Sequence, residues 1–345
     1  MTGCRTGPVR GRAQTARDGV RRVRVGDLDE AALLARLLPG LPTQALLGPG
    51  DDAAVLAAPD GRVVATADVL VEHRDFRRDW STGADVGWKA AMQNVADVAA
   101  MGATCTGLLV SLGLPGDLDV GWVDDFAAGL GAACRAVGTD VVGGDLSGAS
   151  EVVVAVTALG DLGGRAPLLR SGARAGDLVT VAGTLGRSAA GLDLLRRGAA
   201  ADAPELVDAH RRPVPPWEAG PAAALAGASA QMDVSDGLLR DAGRLAAASG
   251  VVLDLDLRDG VLGRWAAALA ATAGVAAAAA DGFVLTGGED HALLGCFPAT
   301  AVLPVGVTPV GRVRAPGPGE RPRVLVDGAP WTGPGVGWDH FAAGG

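Results

Sequence analysis

Acidic side chains recur in glycine-rich turns at the ends of predicted strands, and they are the clearest chemical signal in this sequence. The positions are Asp51, Asp52, Asp68, Asp145, Asp233, Asp236, Glu289 and Asp290. Asp97 is predicted on a helix, three residues after Asn94, so both side chains share one helix face. A single turn aspartate is usually a helix cap or an Asx turn. Because so many of these acidic residues lie at the ends of apolar strands, the whole set indicates one shared functional site.

Hard oxygen ligands of this kind suit Mg²⁺, which keeps several waters and shares the phosphate oxygens of its substrate. Two or more such ions can bind the terminal phosphates of a nucleotide and neutralise charge on the transferring phosphoryl group. Phosphoryl transfer needs mainly positioning and charge stabilisation, with little covalent work by the protein. The carboxylates therefore indicate metal-dependent handling of a nucleoside triphosphate.

The sequence lacks the motifs of other phosphate-handling and hydrolytic enzymes. It contains no G-x-x-x-x-G-K-[ST] loop and no G-x-S-x-G elbow, and the kinase set of H-R-D with D-F-G is missing because no D-F-G occurs. The segment Gly183-Thr184-Leu185-Gly186 follows a predicted strand. It is compatible with a phosphate loop and equally with a close turn between a strand and a helix.

Composition excludes several other classes of protein. The net charge of −9 argues against a nucleic-acid binder, which needs a basic face. The four cysteines form no CxxC pair, so we expect no zinc site and predict reduced thiols in a cytoplasmic protein. The uncharged stretch from Trp265 to Ala280 is too short and too rich in alanine to span a membrane, and it predicts one helix.

Predicted strands alternate with predicted helices, which favours an α/β (α+β) fold in two domains. We expect a disordered or non-native extension at 1–24, an N-terminal domain at 25–162 and a C-terminal domain at 166–345, joined at Gly163–Pro167. A first helix is predicted from Asp27 as its N-cap, and the clearest helix from Asp85 to Met101. Much of the apolar composition is alanine, which predicts closely packed elements.

Eight segments share their residues and their order with a known family. They are GPGDDAA (48–54), DVLVE (68–72), KAAMQNVADVAAMGA (89–103), GGD (143–145), RSGA (170–173), DVSDGL (233–238), GGED (287–290) and GWDHF (337–341). Together they resemble the thiamine-monophosphate kinase family, within the superfamily that includes aminoimidazole-ribonucleotide synthetase. The resemblance runs from about residue 26 to residue 341.

The resemblance implies a two-domain synthetase-like fold. The N-terminal sheets of two subunits would pair into a barrel-like homodimer, and the C-terminal domain would complete the nucleotide and substrate site. The implied reaction converts ATP and thiamine monophosphate into ADP and thiamine diphosphate by direct in-line transfer, with several Mg²⁺ ions. It implies a cytoplasmic enzyme of thiamine diphosphate biosynthesis, without nucleic-acid or membrane partners.

The resemblance also implies roles for individual residues. Metal ligands carry over to Asp52, Thr66, Asp68, Asp97, Asp145, Asp233 and Asp236; ATP contacts to Gly144, Arg170 and Ser235; substrate contacts to Asp75, Glu289 and Trp338. A guanidinium suits phosphate through its paired donors. A carboxylate and an aromatic face suit the cationic thiazolium ring of thiamine. Trp338 has an equally good alternative interpretation, as a residue that fills the core near the C-terminus.

The sequence departs from the family pattern on the substrate side. The family usually reads Gly-x-His-Phe after the strand aspartate, whereas this chain has Asp75 in place of the histidine and His73 in place of the glycine. Either His73 supplies the imidazole from two positions away, or the substrate contact is altered. Gly335 replaces a frequent aromatic residue. Two alternatives therefore stay open: another ATP-dependent synthetase of the superfamily, and a non-catalytic dimeric nucleotide-binding module.

Overall fold

The strands form two separate mixed sheets, each with its own buried core. The computed structural model describes residues 23–42, 45–46 and 56–338. Within them, four strands from the first half of the chain form one sheet and six from the second half form the other. One cluster of buried apolar side chains lies against each sheet. The two-domain α/β architecture is confirmed.

The first sheet has the strand order β1-β4-β2-β3. Its elements are α1 (Glu30–Leu37), β1 (Val64–Val71), α2 (Gly83–Ala100), β2 (Thr104–Leu114), α3 (Val120–Val137), β3 (Val141–Gly148) and β4 (Val153–Asp161). Strand β4 is antiparallel to both β1 and β2, while β2 and β3 are parallel. The edge strands are therefore β1, which carries Asp68, and β3, which carries Asp145.

Helices α2 and α3 pack tightly because glycines let their backbones approach. A Cβ atom at Gly87 would lie 2.2 Å from the carbonyl oxygen of Phe126, and one at Gly129 would lie 2.0 Å from that of Ala84. Both distances are far inside van der Waals contact, so no larger residue fits without separating the helices. This confirms the close packing that the small-residue composition predicts.

The second sheet has the strand order β10-β7-β9-β5-β8-β6. Its elements are β5 (Leu178–Ala182), α4 (Arg187–Arg196), α5 (Pro204–Arg211), α6 (Ala219–Leu225), β6 (Ala230–Val234), α7 (Leu238–Ser249), β7 (Val252–Leu255), α8 (Val261–Ala270), α9 (Ala280–Thr286), β8 (Ala292–Phe297), β9 (Val307–Arg314) and β10 (Arg323–Val326). The predicted linker at 163–167 falls between the last strand of the first sheet and the first strand of the second.

Helix α2 connects the two halves of the molecule. The side-chain amide of Gln231 on β6 donates to the carbonyl oxygens of Ala99 and Ala100, both at 3.1 Å. At the other end of the helix, Asp85 pairs with Arg212. The indole nitrogen of Trp88 donates to the carbonyl oxygen of Pro213 at 2.7 Å. Side chains on α2 can therefore meet residues of the second sheet.

Two element predictions need correction. Helix α1 begins at Glu30 with Asp29 as its cap, because the Asp29 carboxylate accepts from the backbone N–H of Ala32 at 2.8 Å. Asp27 instead ends a short 3₁₀ turn. The stretch predicted as one helix from Trp265 to Ala280 is divided between α8 and α9. The chain turns between them at Gly274, whose φ of +74° lies in the left-handed region.

Candidate active site

Three aspartates from three elements meet between the sheets: Asp68 on β1, Asp97 on α2 and Asp233 at the end of β6. We call them the acidic cluster. The Thr66 hydroxyl, one pleat before Asp68, donates to Asp97 Oδ2 at 2.7 Å. The Asp68 backbone N–H donates to Asn94 Oδ1 at 3.1 Å. The helical spacing of Asn94 and Asp97 therefore places both side chains against β1, as the sequence predicts.

The carboxylates of the acidic cluster repel one another, and this changes the pKa of Asp97. Burial, followed by the charges of Asp233 and Asp68, raises the pKa of Asp97 to about 7. Like-charged carboxylates in a poorly solvated site repel each other unless a proton or a cation intervenes. His291 is the nearby basic group: its buried Nδ1 lies 3.8 Å from Asp233 Oδ2, too far for a hydrogen bond.

The acidic cluster fits magnesium in chemistry, although it is not a closed cage. Carboxylate and hydroxyl oxygens are the donors that Mg²⁺ prefers, and the mutual repulsion is what a divalent ion would relieve. Within the described part of the chain, no three histidine, cysteine or acidic side chains already surround one point as ligands. Mg²⁺ commonly completes its octahedron with waters and substrate phosphates, so a few carboxylates suffice.

The turn after β6 adds an acidic residue that already has cationic partners. Asp236 Oδ2 lies 2.7 Å from Arg244 Nη2 and 3.7 Å from Arg240 Nε. Arg244 also pairs with the fully buried Asp241 at 2.6 Å. Ser235 lies in the same turn, and its carbonyl oxygen accepts from the Glu289 N–H at 2.9 Å. The turn thus joins the acidic cluster to the loop before β8.

A cavity of about 520 Å³ opens beside the acidic cluster. Its wall includes Asp68, and it also includes three of the predicted substrate residues, Asp75, Glu289 and Trp338. Trp338 is 39% exposed, and its backbone N–H donates to the Asp236 carbonyl oxygen at 2.8 Å. Of its two interpretations, the one as a cavity residue agrees with this exposure and position.

Glu289 occupies a corner of the cavity beside a buried ammonium group and a buried histidine. Its Oε2 lies 2.9 Å from Lys89 Nζ and 3.2 Å from His210 Nδ1. Burial alone would raise the pKa of Glu289, but Lys89 and His210 outweigh it and hold the pKa below its usual range. We call Glu289, Lys89 and His210 the Glu289 corner. The neighbouring Asp290 differs, because its carboxylate accepts from the backbone N–H groups of Gly186, Arg187 and Ser188 and so caps α4.

The segment after β1 departs from the family pattern and has its own local structure. Asp75 Oδ2 accepts from the Val71 N–H at 2.8 Å, which closes the turn. His73 adopts a left-handed φ of +68°, and its side chain is 68% exposed. Both residues line the cavity. The aspartate in the histidine's place therefore has a structural partner, and the exposed histidine lies at the mouth of the cavity, with Nε2 3.7 Å from Glu72 Oε1.

Asp145 does not join the acidic cluster within one chain. It lies on edge strand β3, and the register aligns it with Ser111, Ala155 and Val69 across the sheet. Three strand spacings place it about 14 Å from β1. Its side chain lies on the exposed face, whereas Asp68 faces α2. The adjacent Gly144 approaches β2 so closely that a Cβ atom would lie 1.9 Å from the Val110 carbonyl oxygen.

Of two further predicted residues, one lies apart from this assembly and the other is outside the described part of the chain. Arg170 is exposed, does not line the cavity and accepts at its carbonyl oxygen from the Ser249 hydroxyl at 2.7 Å. Asp52 lies outside the described residues. Of the seven predicted metal ligands, the structure thus brings together Thr66, Asp68, Asp97 and Asp233, with Asp236 on the next turn.

Sequence reasoning missed the partners of these carboxylates. Lys89, His210 and Arg244 have no predicted role, although Lys89 is the one lysine of the chain and stands in a helix whose buried residues are mostly apolar or small. A buried lysine requires a partner, so its position was a usable signal. His210 and Arg244 carried no comparable signal, because each meets its partner only through the tertiary fold.

Within the described ranges, none of the helices has the combination of length and apolarity that crossing a bilayer requires.

Comparison with known proteins identifies the family. Residues 50–162 match the model for the AIR synthase related protein, N-terminal domain. The thiamine-monophosphate kinase of Mycobacterium tuberculosis strain H37Rv is 47% identical over 91% of this chain and 92% of its own length. That of Corynebacterium glutamicum is 40% identical over 84% of this chain and 87% of its own.

A solved structure agrees with these relatives. The structure described as AaThiL complexed with AMPPCP and TMP superposes with a TM-score of 0.70 at 34% identity, covering 92% of this chain and 99% of that one. Overall architecture, order of motifs and sequence identity therefore lead to one conclusion. The chain belongs to the thiamine-monophosphate kinase family.

Proposed function

We propose how this chain performs the reaction of its family, the ATP-dependent phosphorylation of thiamine monophosphate to thiamine diphosphate. A phosphate oxygen of thiamine monophosphate attacks the γ-phosphorus of ATP, the bond to the bridging oxygen breaks, and ADP leaves. The observation that carries the assignment is the 47% identity over 91% of the chain. A direct in-line transfer needs no covalent intermediate on a side chain.

Asp68, Asp97 and Asp233 would hold Mg²⁺, with Thr66 keeping Asp97 in place through its 2.7 Å hydrogen bond. Bound there, the ions would supply charge neutralisation for the triphosphate and for the transferring phosphoryl group. The raised pKa of Asp97 supports this role, because it arises from burial and from the charges of Asp233 and Asp68, which a bound cation would offset. Asp52 and Asp236 complete the proposed ligand set, with Arg244 competing for Asp236.

The cavity of about 520 Å³ would hold thiamine monophosphate with its phosphate toward Asp68 and its rings toward Glu289 and Trp338. A carboxylate and an indole face are both suited to a cationic thiazolium ring. Asp75 lines the same cavity, yet its hydrogen bond to Val71 gives it a structural role as well. Ser235, Gly144 and Arg170 are the proposed contacts to ATP.

We further propose that the exposed face of the first sheet pairs with the same face of a second copy. That face carries Val69, which is 52% exposed, and Leu109, which is 37% exposed. Val69 lies in the same cross-strand row as Asp145, and Leu109 lies two residues from that row on β2. An uncovered apolar sheet face favours association, and twofold pairing is the commonest arrangement. In such a homodimer, Asp145 and Gly144 act at the partner's site, which resolves their distance from the acidic cluster.

The experiment that tests the reaction is a turnover assay with Mg·ATP and thiamine monophosphate. We expect ADP and thiamine diphosphate in equal amounts, and no product when EDTA removes the metal. ATP binding without turnover would instead support a nucleotide-binding module. The free and buried thiols of Cys105, Cys134 and Cys296 agree with the cytoplasmic location that we propose.

Sedimentation tests the dimer. We expect the protein to sediment as a dimer and Val69→Asp to sediment as a monomer, because two buried carboxylates would face each other across the proposed interface. Val302→Asp makes the same change at a valine that is 87% exposed and lies outside the first sheet, so it is the matched control and should remain dimeric. A monomeric wild-type protein would contradict the pairing.

A further inference from the structure

Lys89 is buried where helix α2 meets the loop before β8. The residue is 3% exposed, and its ammonium group lies 2.9 Å from Glu289 Oε2. Taking an ammonium group out of water is unfavourable unless a hydrogen-bonded anion compensates it. Lys89 is not among the residues that line the cavity, whereas Glu289 is. Its closest contact with a residue of the cavity wall is this bond to Glu289.

An imidazole nitrogen lies near the same oxygen of Glu289. His210 Nδ1 lies 3.2 Å from Oε2 and 3.1 Å from the Ser188 hydroxyl. Among the described residues, no donor contacts the other carboxylate oxygen, Oε1. The Glu289 side chain is 34% exposed, whereas those of Lys89 and His210 are 4% and 8% exposed. One oxygen is thus bound from the buried side, which leaves the other available to the cavity.

The backbone at Glu289 shows that tertiary contacts hold this residue in place. Its φ of +64° lies in the left-handed region, which a residue with a side chain rarely adopts without support. The Glu289 N–H is fixed by the Ser235 carbonyl oxygen at 2.9 Å. Lys89 fixes the carboxylate from the other half of the molecule. The position of this carboxylate relative to the acidic cluster therefore depends on Lys89.

The charges within the Glu289 corner are also asymmetric. Burial and the charge of Lys89 lower the pKa of His210, so the imidazole is neutral near pH 7. The corner then contains one ammonium and one carboxylate, with the ammonium on the buried side. A carboxylate arranged in this way remains ionised and presents its negative charge outward.

We propose that Lys89, assisted by His210, is a positioning residue that keeps Glu289 charged and oriented to select the cationic thiazolium ring of the substrate. The proposal rests on the proposed function, since it concerns the same cavity. Lys89 would confer selectivity for a cationic ring over a neutral ring of the same shape. A purely structural lysine would instead affect all ligands of the cavity alike.

The test compares two ligands that differ only in charge. Thiamine monophosphate is compared with its analogue in which carbon replaces the thiazolium nitrogen, giving a neutral ring. Dissociation constants are measured calorimetrically for the wild type, Lys89→Met, Glu289→Gln and the double variant. We expect the wild type to prefer the cation at least ~10-fold, consistent with a desolvated charge interaction. Each single variant should lose most of that preference, and the double variant should lose little more.

Matched variants separate positioning from stability. Arg212→Met removes another ion pair between α2 and the second half, so it should keep the wild-type preference. Lys89→Arg retains the charge and should keep part of the preference. Should Lys89→Met fail to fold, His210→Leu removes the other polar neighbour of the same oxygen and is expected to reduce the preference in the same direction.

Two results would overturn the inference: Lys89→Met with the wild-type preference, or Lys89→Met that weakens both ligands equally. Failure of the proposed function is recognised separately, because the wild type would then neither bind nor phosphorylate thiamine monophosphate.

Discussion

Two acidic regions border the same cavity and differ in where their positive charge comes from. In the acidic cluster, burial together with Asp233 and Asp68 raises the pKa of Asp97 to about 7. In the Glu289 corner, Lys89 and His210 hold the pKa of Glu289 below its usual range despite burial. The fold therefore places an ammonium group against Glu289, whereas the nearest basic group of the acidic cluster is His291, 3.8 Å from Asp233. In our proposal, Mg²⁺ bound with the nucleotide brings further positive charge to the acidic cluster.

The turn after β6 is intermediate between these two regions. Burial, with Asp233 as a further cause, raises the pKa of Asp241 to about 6, although Arg244 lies 2.6 Å away. Arg244 also reaches Asp236. Arg244 thus serves two carboxylates, and Asp236 has Arg240 as a second cationic neighbour at 3.7 Å. The carboxylates of this turn therefore have more built-in cations beside them than Asp97 has.

The largest expected effect comes from changing the acidic cluster. Asp97→Asn should lower kcat at least ~1000-fold, because it removes a charged ligand that supports the transferring phosphoryl group. The fold should persist, since the substitution removes repulsion. Steady-state kinetics at saturating Mg·ATP measures the loss. Asp193→Asn, which alters only a surface pair with Arg197, is the control. Asp97→Asn with a tenth or more of the wild-type kcat would remove Asp97 from the metal site.

Asp145 sharpens the comparison because it lies outside both regions in one chain. Asp145→Asn should reduce turnover at least ~100-fold without changing the melting temperature, since the side chain is exposed. If Asp145 acts at the partner's site, two inactive variants should complement each other. A random mixture of Asp97→Asn and Asp145→Asn subunits should recover about a quarter of wild-type activity in twofold dimers. Mixed dimers without activity would place Asp145 elsewhere.

The pH dependence of stability separates the two regions without any assay of turnover. Asp97 binds a proton in the folded state up to pH about 7, whereas an unfolded aspartate releases it near pH 4. The folded state therefore binds more protons within that window, so the metal-free protein should lose stability as pH rises from 4 to 7. Mg²⁺ should raise the melting temperature more at pH 8 than at pH 5.5. Asp97→Asn should flatten both trends; an unchanged pH profile would contradict the assignment.

The smallest expected effect concerns Asp75. Asp75→Ala should lower the unfolding free energy by about 1 kcal/mol, because the Val71 N–H loses its acceptor. Asp75→Asn keeps an acceptor oxygen and should lose less than half of that. Denaturant unfolding measures both variants. If Asp75→Ala instead raised the KM for thiamine monophosphate more than ~10-fold at unchanged stability, Asp75 would be a substrate residue first.

The sequence predicts much of the acidic cluster because the periodicity of one strand and of one helix places its residues on shared faces. The pleat of β1 places Thr66 and Asp68 on one face, and helical spacing does the same for Asn94 and Asp97. By contrast, the Lys89–Glu289 pair joins residues 200 positions apart. No periodicity encodes such a pair, which arises only when α2 lies between the sheets.

Two adjacent or equivalent motifs also show the limit of sequence reasoning. Glu289 and Asp290 stand side by side in one glycine-rich turn, yet the first lines the cavity and the second caps α4. Asp145 follows two glycines and is predicted in a turn, as the other acidic residues are. In the structure it lies within β3, at the far edge of its sheet. Residue type therefore identifies candidate site residues. Their positions depend on the order of the strands and on the packing of the two halves of the molecule.

The most direct test of the central claim is a crystal structure with Mn²⁺ in place of Mg²⁺ and a non-hydrolysable ATP analogue, recorded at a wavelength where manganese scatters anomalously. We expect anomalous peaks within ligand distance, about 2.2 Å, of oxygens from Asp68, Asp97 and Asp233, bridging to the terminal phosphates. Anomalous peaks that leave these three carboxylates unligated in the presence of bound nucleotide would contradict the account.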